Sequence, residues 1–292
     1  MELMRPENLP IVVSLVPSLA IWAWLWGSRR RDRAAADAEH GLERPWPRRT
    51  FEDGLLSLCL VFLAPLGVVL LLPGGGGAEG PPGAGRLALI SVAQAVVVGC
   101  VAWAFRPKPV RRSDGTGSSD ETGLETTTSP IRRRDVMGLA VALGWAGLAP
   151  CFLVNGLVIV GGLKASDESH PLLRMLAESP GSEFVVLLGV CLAAGVCAPV
   201  VEEIQFRHAL QGWLSSVWGS RAGLWIVALL FAGVHYSPGR PDAIPLFPFA
   251  LILGWLYARH RSLAANIVCH ATFNLLNIAI AVAQNWIGTG PN

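Results

Sequence analysis

Charge is scarce in this chain. Asp, Glu, Lys and Arg make up only 15% of its 292 residues, against about 25% in an average soluble domain. Most of its surface must therefore face something other than water. There is no clustered basic face carrying residues that read bases, so a nucleic-acid partner is excluded. Six cysteines are present, Cys59, Cys100, Cys151, Cys191, Cys197 and Cys269. All lie inside or at the ends of apolar runs and none forms a CxxC. They read as small buried hydrophobes, without a disulfide framework or a cysteine metal site. The chain also lacks an HExxH, the helical mark of zinc proteases, and an internal repeat. Its end, Gly288-Thr289-Gly290-Pro291-Asn292, carries no lipidation signal.

In place of charge the chain has apolar length. Hydrophobic residues are 52% of the sequence and the mean hydropathy is +0.47. Eight runs stand out, at about 10–26, 54–72, 87–105, 136–160, 184–201, 222–236, 244–258 and 264–287. A membrane-crossing helix needs roughly 20 apolar residues. The expected fold is therefore an all-α, polytopic integral membrane bundle of about eight transmembrane helices, with the lipid bilayer as its surroundings. The first run is followed, not preceded, by a basic cluster (Arg29, Arg30, Arg31, Arg33). It reads as an uncleaved helix with an outside N-terminus.

Charge placement supports an alternating topology. Residues 27–53 and 106–135 hold seven basic residues each, and 202–221 and 259–263 hold two each. The intervening segments hold only Arg5, Arg86, Lys164, Arg174 and Arg240, a bias of 18 against 5. The positive-inside rule then puts both termini outside the cytoplasm. Residues 73–85 (Gly/Pro-rich) and 113–130 (rich in Ser, Thr, Gly and acid) read as disordered linkers. Polar residues at membrane depth gather after residue 184. The chain divides on this basis into N-terminal membrane helices with basic, disordered loops (1–135) and a catalytic helical domain (136–292). Its high Ala, Gly and Arg content suggests a bacterial inner or plasma membrane.

Ionisable groups inside a membrane helix are costly and default to functional candidates. Three clusters qualify. In APVVEEIQFRHALQGWL, Glu203 and Arg207 are four residues apart and share a helix face, which Gln211 extends. Glu202 points about 100° away, free of that pairing and available for chemistry. An ordinary helix-end ion pair is the plainer reading. His235 follows Phe231 by one turn near the end of a short run, where Phe231 can pack on the imidazole. His270 and Asn274 share a face of the last helix, with Asn266 and Asn277 one turn to either side. For the outer two asparagines, interhelical hydrogen bonding is the expected role.

The order EExxxR, FxxxH, HxxxN, here Glu202-Glu203-x-x-x-Arg207, Phe231-x-x-x-His235 and His270-x-x-x-Asn274, resembles the CPBP family of intramembrane endopeptidases. That family includes CAAX prenyl proteases and bacteriocin-processing or self-immunity proteins. The resemblance covers about residues 184–280. It implies an intramembrane endopeptidase acting on peptides or proteins in or at the membrane, some of them lipidated, through a glutamate-activated water. Glu202 and His235 would activate the water, and His270 and Asn274 would stabilise the oxyanion. Glu203, Arg207 and Phe231 would support the architecture. It implies no cofactor, although Glu202, His235 and His270 are also a possible zinc set. A proton-coupled transporter and a non-catalytic scaffold or immunity protein are the alternatives.

Glu202 and His235 both end successive apolar runs, which would set them on opposite faces of the membrane if both helices crossed fully. They meet only if the first helix runs on well past Glu202, or if the 222–236 segment is short. A helix over 184–215 with its turn at 216–221 satisfies this.

Overall fold

The structure, a computed structural model, describes residues 9–36, 52–55, 59, 63, 84–104, 133–163, 183–236 and 243–288. Among these the regular structure is all helical: α1 (Leu9–Ala36), α2 (Ala84–Ala104), α3 (Arg133–Ala146), α4 (Leu148–Val160) and α5 (Glu183–Val190). A first π-helical segment (Cys191–Cys197), α6 (Ala198–Glu202) and a second π-helical segment (Glu203–Gln211) follow. The chain continues through α7 (Gly212–Val234), α8 (Ala243–His260) and α9 (Leu263–Gly288). The linker at 113–130 and almost all of the run 54–72 and of the segment 73–85 lie outside the described residues. Four helical stretches are long and apolar enough to cross a membrane: Arg134–Val160, Phe184–Val234, Ala243–His260 and Leu263–Ile287. Leu9–Leu25 and Leu89–Cys100 are shorter apolar helices. The chain is thus a multi-pass integral membrane protein.

The expected runs 184–201 and 222–236 lie on two helices that join end to end at a kink. They belong to one helical stretch of 51 residues, and it folds back on itself. The fold point is Gly219, at φ 86° and ψ 161°, a conformation essentially restricted to glycine. Past it the chain reverses. A Cβ on Gly223 would meet Ser215 Oγ and stand 2.8 Å from the Ser215 nitrogen, whereas residues eight apart on a straight helix are about 12 Å apart. Phe206, Leu210 and Leu214 on the outgoing arm pack against Val227, Ala228 and Phe231 on the returning arm. The glycine lies inside the turn expected at 216–221.

The run 136–160, expected as one span, is one apolar helical stretch, Arg134–Val160, with a local interruption at Gly147 between α3 and α4. Pro150 supplies the reason. It has no N–H to give the carbonyl four residues back, that of Ala146. Ser18 Oγ (2.9 Å) and Trp22 Nε1 (2.8 Å) donate to that carbonyl instead. Ser18 Oγ also accepts the Ala149 N–H at 3.1 Å, and Trp145 Nε1 donates to the Ser14 carbonyl at 3.1 Å. The first helix is therefore fastened to the break by polar bonds, with Ser18 fully buried.

Between α8 and α9 the chain turns in two residues. Arg261 adopts φ 50°, and the Ser262 Oγ caps α9 by accepting the Ala265 N–H at 3.2 Å. The turn sets Asn266 beside Leu253, whose carbonyl accepts from Asn266 Nδ2 at 2.8 Å. The main core joins α3, α4, α8 and α9 through Leu143, Leu148, Phe249, Leu253, Leu256 and Phe273.

Candidate active site

The hairpin solves the meeting of Glu202 and His235. Gly219 lies 17 residues after Glu202 and 16 before His235. At about 1.5 Å per residue the two arms rise equally, by about 25 Å, and their ends stand side by side. His235 Nε2 is 3.9 Å from Glu202 Oε1. The last helix contributes the third group, with His270 Nε2 at 3.8 Å from Glu202 Oε2. Three of the four residues expected to be catalytic are thus brought together around one carboxylate. The Glu202 and His235 side chains are 22% and 32% exposed, so the site opens on one side.

Glu203 faces inward. It is wholly buried with Arg207, whose Nε lies 3.3 Å from Glu203 Oε2, as the four-residue spacing anticipated. Asn266 Nδ2 donates to the same oxygen at 3.1 Å, and His270 Nδ1 lies 2.9 Å from Oε1. Arginine stays charged, so a buried guanidinium this close requires an ionised carboxylate as counter-charge. Ionised Glu203 only accepts, and His270 Nδ1 therefore carries a proton and donates it. One imidazole thus spans both glutamates, its Nδ1 edge on Glu203 and its Nε2 edge on Glu202.

His235 is fixed in the same sense. Its Nδ1 lies 2.7 Å from the Phe231 carbonyl, which accepts only, so Nδ1 holds a proton, and the neutral ring would present its Nε2 lone pair to Glu202. Phe231 organises the surroundings. Its ring centroid is 4.8 Å from that of His235 and 5.7 Å from that of His270, and Arg207 Cζ sits 4.9 Å over its face. Phe249 meets His270 from another side at 5.6 Å. The helical segment carrying Glu203, Arg207 and Gln211 is π-wound, a widening that recurs at functional sites.

Two ligands of one tetrahedral zinc lie roughly 3.3 Å apart, given metal–ligand distances near 2.0 Å. The separations around Glu202 are 3.8 and 3.9 Å, and among the described residues no group of three or more His, Cys, Asp or Glu is spaced to hold a metal ion. As they stand, Glu202 and the two imidazoles are spaced wider than the ligands of one zinc.

The asparagines divide differently from their expected roles. Asn274 Nδ2 donates to the Ala194 carbonyl at 2.7 Å, placing its amide on the first π segment. Asn266 joins Glu203 to α8, an interhelical bond as expected, but its partner is the site itself. Its spacing of four from His270 was the available signal. Asn277 Nδ2 donates to Phe273 of its own helix at 2.8 Å. Gln211 Nε2 donates to the Gly254 carbonyl at 2.8 Å. Arg207 lies inside the bundle, fully buried, so it leaves the count of cytoplasmic charges.

A family profile described as Type II CAAX prenyl endopeptidase Rce1-like matches residues 184–276. This is the stretch that holds the hairpin, both glutamates and both histidines. The chain therefore carries a domain of that family, whose members are CAAX-type endopeptidases, and the buried Glu203–His270 cluster is consistent with such an activity. No curated protein and no solved structure gives a match.

Proposed function

We propose that this protein, as the bearer of an Rce1-like domain, is a glutamate-dependent intramembrane endopeptidase. Its substrates are peptides or proteins held in or at the bilayer, lipidated ones included. The observation that carries the reading is the placement of the Glu202 carboxylate between two imidazole Nε2 atoms at 3.9 and 3.8 Å. A water hydrogen-bonded at about 2.8 Å to the carboxylate and to an imidazole fits such a gap. His235 Nε2, with its lone pair forward, accepts one hydrogen of that water. Glu202 takes the proton as the oxygen attacks the peptide carbonyl, and later passes it to the leaving amine. In its imidazolium form His270 would donate from Nε2 to the developing oxyanion, with Glu203 as its counter-charge at 2.9 Å.

Residues 136–292 carry the chemistry in this reading, and the first 135 support it. The segment 54–72 completes eight spans. The test compares purified wild type with Glu202→Gln on a mixed library of membrane-derived and C-terminally lipidated peptides, read by mass spectrometry, with and without a chelator. Wild type cleaves in both conditions, and the substitution lowers the rate by ~10²–10⁴-fold, the usual worth of a general base. Cleavage undiminished by Glu202→Gln would remove Glu202 from the mechanism. Proton-coupled flux without any cleavage would favour the transporter.

A further inference from the structure

In a helix widened to π register the carbonyl of residue i meets the N–H of residue i+5. The first π segment does this at Ala193, whose carbonyl accepts the Ala198 N–H. One residue on, the same register calls for the Pro199 N–H at the Ala194 carbonyl, and proline has none. A backbone carbonyl left unpaired inside an apolar bundle is costly. Asn274, on α9, donates its Nδ2 to that carbonyl at 2.7 Å. The contact lies where α9 packs on this arm, through Ile278 against Val186 and Val190, with Ala194 in the same cluster. Glu202 follows Pro199 by three residues, at the end of the short helix α6.

We propose that Asn274 is a positioning residue that supplies the N–H Pro199 lacks, holding the widened turn that aims Glu202 at His235 and His270. It acts on the backbone rather than on the reacting atoms, in contrast to the oxyanion role that the resemblance implied. The inference rests on the endopeptidase reading for its activity readout and is independent of it for its structural one.

The experiment uses the full-length protein in detergent as wild type, Asn274→Ala, Pro199→Ala and the double variant. It measures amide hydrogen exchange over 194–202 together with kcat and KM on a cleaved peptide. Asn274→Ala speeds exchange in that segment and lowers kcat at least tenfold, with KM within twofold. Pro199→Ala restores a backbone donor, so the double variant regains wild-type exchange and most of the lost kcat. Asn274→Leu, similar in volume but without a donor, exchanges as fast as Asn274→Ala; this comparison stands even if the Pro199 variants do not fold. Wild-type exchange in Asn274→Ala overturns the proposal. So does a double variant with restored exchange that stays as slow as Asn274→Ala, since the amide would then be acting on the oxyanion. If wild type cleaves nothing, the endopeptidase reading fails and the exchange comparison alone decides the role of Asn274.

Discussion

At the scale of single residues, Glu202 and Glu203 are chemical twins with opposite obligations. Glu203 is wholly buried and accepts from Arg207, Asn266 and His270. Glu203→Gln leaves a fully buried guanidinium without its counter-charge, and breaking a buried pair in this way costs about 3–5 kcal/mol. Glu202 has no contact with either histidine closer than 3.8 Å, so Glu202→Gln leaves stability near that of wild type. Thermal unfolding of the two variants in one detergent checks this: Glu203→Gln melts well below wild type while Glu202→Gln does not. Equal melting temperatures would show that Glu203 is not the structural member of the pair. The pairing of Glu203 with Arg207 was legible in the sequence because it lies within one helix, four residues apart. That His270 bridges both glutamates was not. The two side chains diverge by about 100°, and only the packing of α9 reveals that the opposite ring edges of one imidazole reach both.

At the scale of elements, the fold turns on breaks in helices. Gly219 holds a conformation that other residues enter at a cost of ~1–3 kcal/mol. Gly219→Val therefore lowers thermal stability by that order, and any shift in the equal arms parts Glu202 from His235, so cleavage falls too. Retention of wild-type stability and rate would remove the hairpin tip from the account. Packing makes a second demand where a Cβ on Gly144 would collide with the Cys269 carbonyl and come within 2.8 Å of the Thr272 Cβ. Cys269 precedes His270, so Gly144→Leu pushes the last helix away and lowers kcat at least tenfold. Unchanged kinetics would show that α9 tolerates the shift.

These elements were unequally legible. The turn at 216–221 followed from the need to join Glu202 with His235, and Gly219 falls in it. The break at Gly147 was hidden because 136–160 is uniformly apolar. Pro150 breaks the helix, but the partners that make the break tolerable, Ser18 and Trp22, lie 128 and 124 residues from the carbonyl they serve. The π segments, whose register changes leave no hydrophobic pattern of their own, were equally silent.

At the scale of the whole molecule, the number of crossings decides which side each end occupies. Removing buried Arg207 from the cytoplasmic set leaves 17 basic residues against 5, still a strong bias. The hairpin tip and the α8–α9 turn stand at the same end of antiparallel helices and carry Arg221, Arg259 and Arg261, so the positive-inside rule makes that the end expected on the cytoplasmic side. Among the described residues four stretches are long and apolar enough to cross, and counting both arms of the hairpin and the shorter α1 and α2 as crossings would give seven. With seven crossings the termini lie on opposite sides. If 54–72 also crosses, there are eight and both termini lie outside. A reporter active only outside the cytoplasm, fused after Asn292 in a bacterial host, is therefore expected to be active. The same reporter placed within 113–130 is expected to be silent, and a tag before the first helix is expected to be reachable from outside. A silent C-terminal fusion beside a reachable N-terminal tag would mean an odd number of crossings and take 54–72 out of the membrane. The hairpin and the site on it would remain, and the first 135 residues would then need a different arrangement.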